Sequence, residues 1–465
     1  MFLEETLQHY PLPFKLRDDQ IDAFDFLIGY DRGGCFYDVG LGKTVISTLV
    51  TFYRALQGQI SQAIVLMPPI LLSQWGEWLL SFPGIEVCIY AGAPAARKKL
   101  SFDKDFTLMT PQIFKRDYAR ICEAYKARRI MVIVDEATCI RRVNTFTHKA
   151  VRDFVEMSNN YLLLLTGTAI SAPIQCYGYI KLLTPWIYRD LNQFIMVHVE
   201  KTDIYGEPSK YRNLDVLAEN MLKQAVRVEA EDVLDLPEVT YVPVIYSLPP
   251  PHQRLYDKVV EDLLVVLDDG VILDGTVPQR LYHTAQRAIL MPMEFGGAKI
   301  EPVAFSLIDE MVMESGGEKI IIFCHHNTAN EAVFEYTKKL GLNPVIAYGG
   351  KNSSSAKNLK AVEQFLKDPS VKALVGNPGS IGVGLNLQSV CRLILFLELP
   401  ITCAQFIQAV GRIKREGQKK NCVIKMAIAA KTIQAELRHR VVKKEDIVQE
   451  VMPTKESLRR ALYGA

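Results

Sequence analysis

A lysine and a threonine directly follow a glycine-rich turn near the start of the chain. A short apolar run at 35–37 leads into the sequence Gly40-Leu41-Gly42-Lys43-Thr44, and apolar residues from Val45 onward predict a helix. Glycines allow successive backbone N–H groups to point inward, and a helix N-terminus adds partial positive charge, so this order suits phosphate binding. Lys43 can reach the β- and γ-phosphates of a nucleotide, and the Thr44 hydroxyl can ligate Mg²⁺. Tyr37 stands where the first glycine of the full phosphate-loop pattern is expected, so a plain turn with a surface lysine stays an alternative.

Two adjacent carboxylates follow another apolar run. Residues 130–134 predict a buried strand, and Asp135 and Glu136 come directly after it. The carboxyl end of a parallel strand is where α/β proteins bind their ligands. Asp135 can hold Mg²⁺ directly or through water, and Glu136 can orient or deprotonate an attacking water.

A third cluster is basic and lies late in the chain. Gln408, Arg412 and Arg415 fall in a segment whose pattern predicts a helix over 402–413. Residues three apart share a helix face, so the two arginines would point at one spot if the helix persists. Two guanidinium groups suit a γ-phosphate in transit, and the alternative is an ordinary solvated helix end.

Other polar residues occupy strand ends or loops. Gln20 lies about twenty residues before the glycine loop, and its amide can pair with the edge of an adenine. Thr110 ends one apolar run, while Thr166 and Thr168 follow another, where they can sense phosphates or simply form a turn. Four glycines in 376–384, including Gly384, indicate backbone brought close to a ligand.

The elements that must position these residues alternate along the chain. Apolar runs at 63–67, 106–110, 130–134 and 161–165 alternate with helical segments and predict a doubly wound α/β lobe. A second series at 319–324, 344–348, 371–375 and 392–397 predicts another. We expect a first lobe over 1–235 with a protruding insertion at 184–235, a connection with helices at 236–318, and a second lobe over 319–465 ending in basic helices.

The composition of the chain excludes some classes of protein and favours others. A hydrophobic fraction of 49% in 465 residues excludes a disordered chain. Basic residues outnumber acidic ones from Gly411 onward, which suits a polyanionic partner. The nine cysteines contain no C-x-x-C pair, which argues against a cysteine-rich zinc site and a disulfide framework. The sequence shows no signal peptide and no run long enough to span a membrane. We therefore expect a soluble, intracellular protein that is a monomer and has no membrane partner. Its expected location is the cytoplasm or the nucleoid, or the host cell of a virus that encodes it.

Taken in order, these stretches resemble the Swi/Snf-like branch of superfamily-two helicase-type motors. The stretches that carry the resemblance are Leu16-Arg17…Gln20, Asp38 to Thr44, Val65 to Trp78, Asp135 to Thr138, Leu165 to Thr168, Val228 to Tyr256, Gly382 to Gln388 and Gln408 to Gln418. The family's glycine loop also lacks the first glycine, so Tyr37 is no departure from it. Thr138 replaces a usual histidine, which puts the coupling between the lobes in doubt, and Ala169 replaces a common proline.

The resemblance implies two RecA-like lobes, ATP with Mg²⁺, and DNA, double-stranded or branched, bound across both lobes. It implies that Lys43, Thr44, Asp135 and Glu136 act from the first lobe and Gln408, Arg412 and Arg415 from the second. Gln20, the residues of the glycine loop and Gly384 are then candidate nucleotide contacts. The candidate nucleic-acid contacts are Pro68, Gln74, Thr110, Thr166, Thr168 and Asn386.

The expected activity is therefore ATP-driven translocation on double-stranded DNA without obligatory strand separation. A strand-separating or annealing helicase and an RNA-dependent ATPase are alternatives within the same enzyme class. A catalytically silent DNA-binding scaffold is the non-enzymatic alternative, and the presence of every phosphate-site residue named above speaks against it.

Overall fold

The computed structural model describes residues 2–170, 172–202, 208–268, 277–297, 300–349, 354–381, 386–400 and 403–435. The chain divides into two compact units with a boundary between Asp235 and Leu236. The unit before this boundary is called lobe one, and the unit that begins at Leu236 is called lobe two.

Lobe one is built on parallel strands flanked by helices. Its strands are β1 (Arg32–Tyr37), β2 (Ala63–Leu66), β3 (Val87–Ile89), β4 (Phe106–Met109), β5 (Met131–Asp135), β6 (Tyr161–Leu165), β7 (Val199–Thr202), β8 (Pro208–Tyr211) and β9 (Ala225–Val228). Its helices are α1 (Phe2–His9), α2 (Asp18–Leu27), α3 (Lys43–Leu56), α4 (Leu72–Leu80), α5 (Pro94–Arg97), α6 (Pro111–Arg116), α7 (Tyr118–Tyr125), α8 (Phe146–Met157), α9 (Cys176–Leu183), α10 (Leu191–His198), α11 (Leu214–Leu222) and α12 (Ala230–Val233). Seven strands form one parallel sheet in the order β3-β4-β2-β5-β6-β1-β9.

The register of this sheet brings the predicted site residues to one edge. Asp135 at the end of β5 pairs with Leu165 at the end of β6, and Leu165 pairs with Cys35 of β1. All five residues of β5 and of β6 are buried, as expected for strands covered by helices on both faces. The loops that follow β1, β5 and β6 therefore leave the sheet side by side.

The insertion predicted at 184–235 does not protrude as a whole. Ala225–Val228 forms β9, which pairs with β1 from Gly34 to Tyr37, and Leu217 and Met221 of α11 lie in the core of the lobe. The prediction is wrong for this part, because these apolar side chains are buried against the sheet. Only β7 and β8 form a separate antiparallel pair within the described residues.

Lobe two repeats the same architecture. Its strands are β10 (Val239–Tyr246), β11 (Lys319–Phe323), β12 (Val345–Ala347), β13 (Ala373–Gly376), β14 (Cys391–Phe396) and β15 (Cys422–Ala429). Its helices are α13 (Pro250–Asp268), α14 (Val277–Leu290), α15 (Ser306–Glu314), α16 (Asn327–Lys339), α17 (Ser355–Lys367) and α18 (Cys403–Val410). The six strands are parallel in the order β10-β15-β14-β11-β13-β12. Two parallel sheets with helices confirm the predicted fold class of two RecA-like lobes.

The segment predicted as a connection begins with a strand of lobe two. The strand β10 pairs with β15 along its whole length, from Val239 opposite Cys422 to Tyr246 opposite Ala429. Among the residues that the structure describes, no helix combines the length and the hydropathy needed to cross a membrane.

The helix predicted over 402–413 is shorter than expected. The helix α18 ends at Val410, and Arg412 and Ile413 then donate backbone hydrogen bonds to carbonyls three residues back. The Ile413 carbonyl accepts instead from the Gln418 side chain at 3.3 Å, which holds the chain in a turn. Arg412 and Arg415 therefore do not share a helix face, and that prediction is wrong.

Candidate nucleotide-binding site

The glycine loop has the backbone conformation that a phosphate cradle requires. Gly40 and Gly42 have φ angles of 91° and 82°, a region that side chains other than glycine rarely adopt. Gly42 is the N-cap residue of α3, so the first N–H groups of that helix face the loop. A Cβ on Gly42 would lie 2.4 Å from Nε2 of Gln20. Both the φ angle and the close approach of Gln20 therefore require glycine at position 42.

Two side chains hold this loop from outside. Nε2 of Gln20 donates to the Leu41 carbonyl at 3.1 Å, and Nη2 of Arg17 donates to the same oxygen at 2.9 Å. Oε1 of the Gln20 side chain accepts from the backbone N–H of Arg17 at 3.1 Å at the start of α2. Gln20 is only 5% exposed, so its amide braces the glycine loop. Its contact with adenine stays a prediction, and the bracing role of Arg17 was not predicted.

Lys43 lies over the end of β1. Its Nζ donates to the carbonyls of Tyr37 at 2.7 Å and Asp38 at 2.9 Å. The loop after β6 approaches the same place, because a Cβ on Gly167 would meet Tyr37 O and Val39 N at 3.2 Å each. The Tyr37 hydroxyl in turn donates to the Asp19 carbonyl at 2.7 Å, which ties β1 to α2. Tyr37 thus has a structural role that its place in the motif did not reveal.

The two carboxylates differ in environment. Asp135 is 6% exposed, and its oxygens accept from Nε1 of Trp75 at 2.8 Å and from the Glu136 amide at 2.9 Å. Burial raises the pKa of Asp135, against the opposing effects of the Trp75 hydrogen bond and the Lys43 charge. Glu136 has a φ angle of 53°, a left-handed conformation that is uncommon outside glycine and is found at functional sites.

These residues fit a nucleotide with Mg²⁺. A buried carboxylate whose pKa is raised by desolvation gains free energy from a nearby cation. Carboxylate and hydroxyl oxygens, here of Asp135 and Thr44, are hard ligands of the type that Mg²⁺ prefers. Left-handed glycines followed by a helix N-terminus suit the phosphates.

The helix α4 supports both Asp135 and the start of α3 through hydrogen bonds from its two tryptophans. Trp75 is 1% exposed, and its indole N–H is the donor to Asp135. Nε1 of Trp78 donates to Oγ1 of Thr48 at 3.0 Å, and that hydroxyl donates to the Thr44 carbonyl at 2.7 Å. The sequence pattern did not reveal these two indole hydrogen bonds.

The candidate nucleic-acid contacts fall into two groups. Gln74 and Asn386 are exposed, and Pro68 is half-buried. The three threonines, Thr110, Thr166 and Thr168, are buried, and two of their hydroxyls accept hydrogen bonds from nearby backbone amides. The Thr110 hydroxyl accepts from the Ile113 amide and the Thr166 hydroxyl from the Thr168 amide, both at 3.2 Å. The contacts stay predictions, and exposure favours Gln74 and Asn386.

The lobe-two candidates lie around the end of α18. Gln408 is half-buried on the helix, and Arg412 is 2% exposed in the turn after it. Burial lowers the pKa of the Arg415 guanidinium. The Gln418 amide, whose role was not predicted, also donates to the carbonyls of Gln388 at 3.2 Å and Cys391 at 3.0 Å. Gly384 lies outside the described residues.

The contact between Trp75 and Asp135 gives a test of the site. We expect Trp75→Phe to keep the aromatic packing and to remove the donor, so that the pKa of Asp135 rises further. Hydrogen bonds to charged groups contribute about 1.5–3 kcal/mol, so Mg²⁺-dependent nucleotide binding should weaken about 10-fold or more. The measurement is nucleotide affinity over a series of Mg²⁺ concentrations.

Trp186→Phe is the matched control, because it makes the same substitution at a side chain that is 64% exposed. Its Mg²⁺ dependence should stay at the parental value. An equal response of the two variants would mean that the hydrogen bond from Trp75 does not contribute to Mg²⁺-dependent binding.

Comparison with known proteins follows the same division of the chain. The model of the SNF2-related domain matches residues 20–287, and the model of the helicase conserved C-terminal domain matches residues 303–417. The first match alone spans more than half of the chain.

Individual relatives are distant. The chain is 24% identical to an uncharacterized ATP-dependent helicase of Mycoplasma pneumoniae, over 96% of this chain and 43% of that protein. It is 22% identical to the SWI/SNF-related matrix-associated actin-dependent regulator of chromatin subfamily A-like protein 1 of Xenopus laevis, over 85% of this chain and 40% of that protein. The chain thus spans less than half the length of these two relatives.

Among solved structures, the SWI2/SNF2 ATPase core of Sulfolobus solfataricus in complex with dsDNA is 21% identical, covers 98% of this chain and 97% of its own, and gives a TM-score of 0.44. The family matches, in contrast, extend over both lobes and agree with the order of the motifs. The chain therefore belongs to the SNF2-related family of helicase-type enzymes.

Proposed function

We propose that this protein hydrolyses Mg²⁺-ATP and uses the reaction to move along double-stranded DNA. The observation that carries the proposal is the common sheet edge of lobe one. The glycine loop follows β1, Asp135 ends β5 and Glu136 follows it, with only β6 between those two strands. A phosphate-binding loop beside a buried carboxylate is the arrangement that phosphoryl transfer to water requires.

Each lobe-one residue has a distinct part in the proposed reaction. The loop amides and the N-terminus of α3 hold the phosphates, while Lys43 exchanges its carbonyl partners for phosphate oxygens. Thr44 and Asp135 would hold a Mg²⁺ ion, which would neutralise charge on the phosphates. Glu136 orients the water that attacks the γ-phosphate.

Arg412 and Arg415 are proposed to act in turnover rather than in nucleotide binding. Planar guanidinium groups neutralise the charge that spreads over the transferred phosphoryl group. Arg412 lies in the turn after α18 and Arg415 follows that turn, so the two variants are tested separately. We propose that lobe two supplies them during the catalytic cycle and that this couples hydrolysis to movement of the lobes.

Membership of the SNF2-related family supports DNA as the substrate. The Xenopus relative is named a regulator of chromatin. The DNA in chromatin is double-stranded. Contacts to phosphates would give binding that falls with salt and varies little with sequence. Stimulation of the ATPase by RNA alone would overturn the duplex assignment, and obligatory unwinding of forked DNA would favour a strand-separating helicase.

The first prediction separates nucleotide binding from hydrolysis. Glu136→Gln should bind ATP and Mg²⁺ with parental affinity and lose turnover, because only the charge that orients the water is removed. Lys43→Ala should lose affinity as well as turnover. The measurement is the ATPase rate with duplex DNA, single-stranded DNA or RNA, beside nucleotide affinity.

Glu123→Gln is the matched control for Glu136→Gln, since Glu123 is exposed and pairs only with Lys126 in the described contacts. It should leave every rate unchanged. Parental turnover in Glu136→Gln would exclude Glu136 as the residue that orients water.

The second prediction concerns the arginines. Arg412→Ala or Arg415→Ala should reduce turnover by roughly 10³-fold or more, the lower range for arginine fingers, while nucleotide affinity changes little. Arg→Lys should not restore turnover, because an ammonium cannot reproduce the planar fork. The exposed Lys419→Ala, in the same segment, is the control. Near-parental turnover in both arginine variants would remove these residues from the mechanism.

A further inference from the structure

Three histidines form a cluster in lobe two. His283 lies on α14, and His325 and His326 follow the end of β11. Each offers a ring nitrogen, and these nitrogens all lie within 4.8 Å of one another. Nδ1 of His283 is 3.3 Å from Nε2 of His326, and the rings of His283 and His325 stack with centroids 4.7 Å apart. This is the only group of three or more potential metal ligands among the described residues.

A buried carboxylate fixes the orientation of this cluster. Glu398 is 1% exposed, and its Oε2 accepts the backbone N–H groups of His325 at 2.7 Å and His326 at 2.9 Å. Its Oε1 accepts from Nδ1 of His326 at 2.9 Å. A proton on Nδ1 leaves a lone pair on Nε2, the atom that faces His283. Carboxylates orient metal-binding histidines in the same way.

One nitrogen–nitrogen distance in the cluster also matches an edge of a zinc coordination tetrahedron. Nitrogen ligands at the usual zinc distance of about 2.1 Å in a tetrahedron lie about 3.4 Å from each other. The separation of 3.3 Å between His283 and His326 agrees with one edge of such a tetrahedron. Three imidazole ligands suit Zn²⁺ and its neighbours in the first transition series.

We propose that His283, His325 and His326 bind one divalent transition-metal ion, with Zn²⁺ as the expected metal and Glu398 as the carboxylate that orients His326. The ion would fasten α14 to the end of β11. The site does not involve the nucleotide residues, so Glu136→Gln should bind the same amount of metal. The competing explanation is a hydrogen-bonded histidine cluster without an ion.

The test uses the full chain without a polyhistidine tag, stripped with a chelator and then titrated with Zn²⁺. Wild-type protein should bind one ion per chain by elemental analysis after dialysis, and the ion should raise its melting temperature. Co²⁺ in its place should give the strong visible absorption of a tetrahedral centre. His283→Ala and His325→Ala should lose both signals, and Glu398→Gln should bind about 10–100-fold more weakly.

The exposed His9→Ala is the control and should bind like wild type. His283→Phe keeps an aromatic ring against His325 and guards against a variant that merely fails to fold. Wild-type protein that retains no stoichiometric Zn²⁺ and gives no tetrahedral Co²⁺ spectrum would overturn the proposal without any variant. Retention of the ion by both His283→Ala and His325→Ala would overturn it equally.

Discussion

The desolvated carboxylate of Asp135 is the constraint on which the candidate site depends. It lies at the end of a fully buried strand, where an ionised acid is costly unless donors and a positive charge compensate for lost water. Trp75 provides a donor and Lys43 a charge. The rest of the site follows from this requirement, since α4 must pack where its indole reaches Asp135. The glycine loop must likewise hold Lys43 over the end of β1, which β6 separates from β5.

Bracing of this kind also explains the crowded surroundings of the glycine loop. Arg17 and Gln20 both donate to one carbonyl of the loop, and Gly42 leaves no space for a side chain beside Gln20. A loop held by several hydrogen bonds is organised before any phosphate arrives, which lowers the entropic cost of binding. The left-handed Glu136 shows where the remaining strain is concentrated. Rigid support around one strained residue is the pattern expected of a site built for chemistry.

Much of the fold and of the nucleotide site could be predicted from the sequence, and the features that could not be predicted share a cause. The buried strands, the glycine loop and the pair Asp135-Glu136 depend on local patterns, so apolar runs and motif spacing located them. The place of β9 in the sheet, the early end of α18 and the indole donor to Asp135 depend on partners far away in the chain. The histidine cluster is the clearest case, because His283 and His326 are 43 positions apart and share no motif. Cysteine spacing argued against one type of zinc site and carried no information about an imidazole site.

Displacement of a third DNA strand from a duplex tests the central proposal most directly. A short oligonucleotide is bound as a triplex on a long duplex, and its release is followed with ATP, without ATP and with Glu136→Gln protein. A duplex translocase should release the third strand only with ATP and active enzyme, and it should leave the two duplex strands paired. Release by Glu136→Gln protein, or no release despite rapid ATP hydrolysis, would contradict ATP-driven movement along double-stranded DNA.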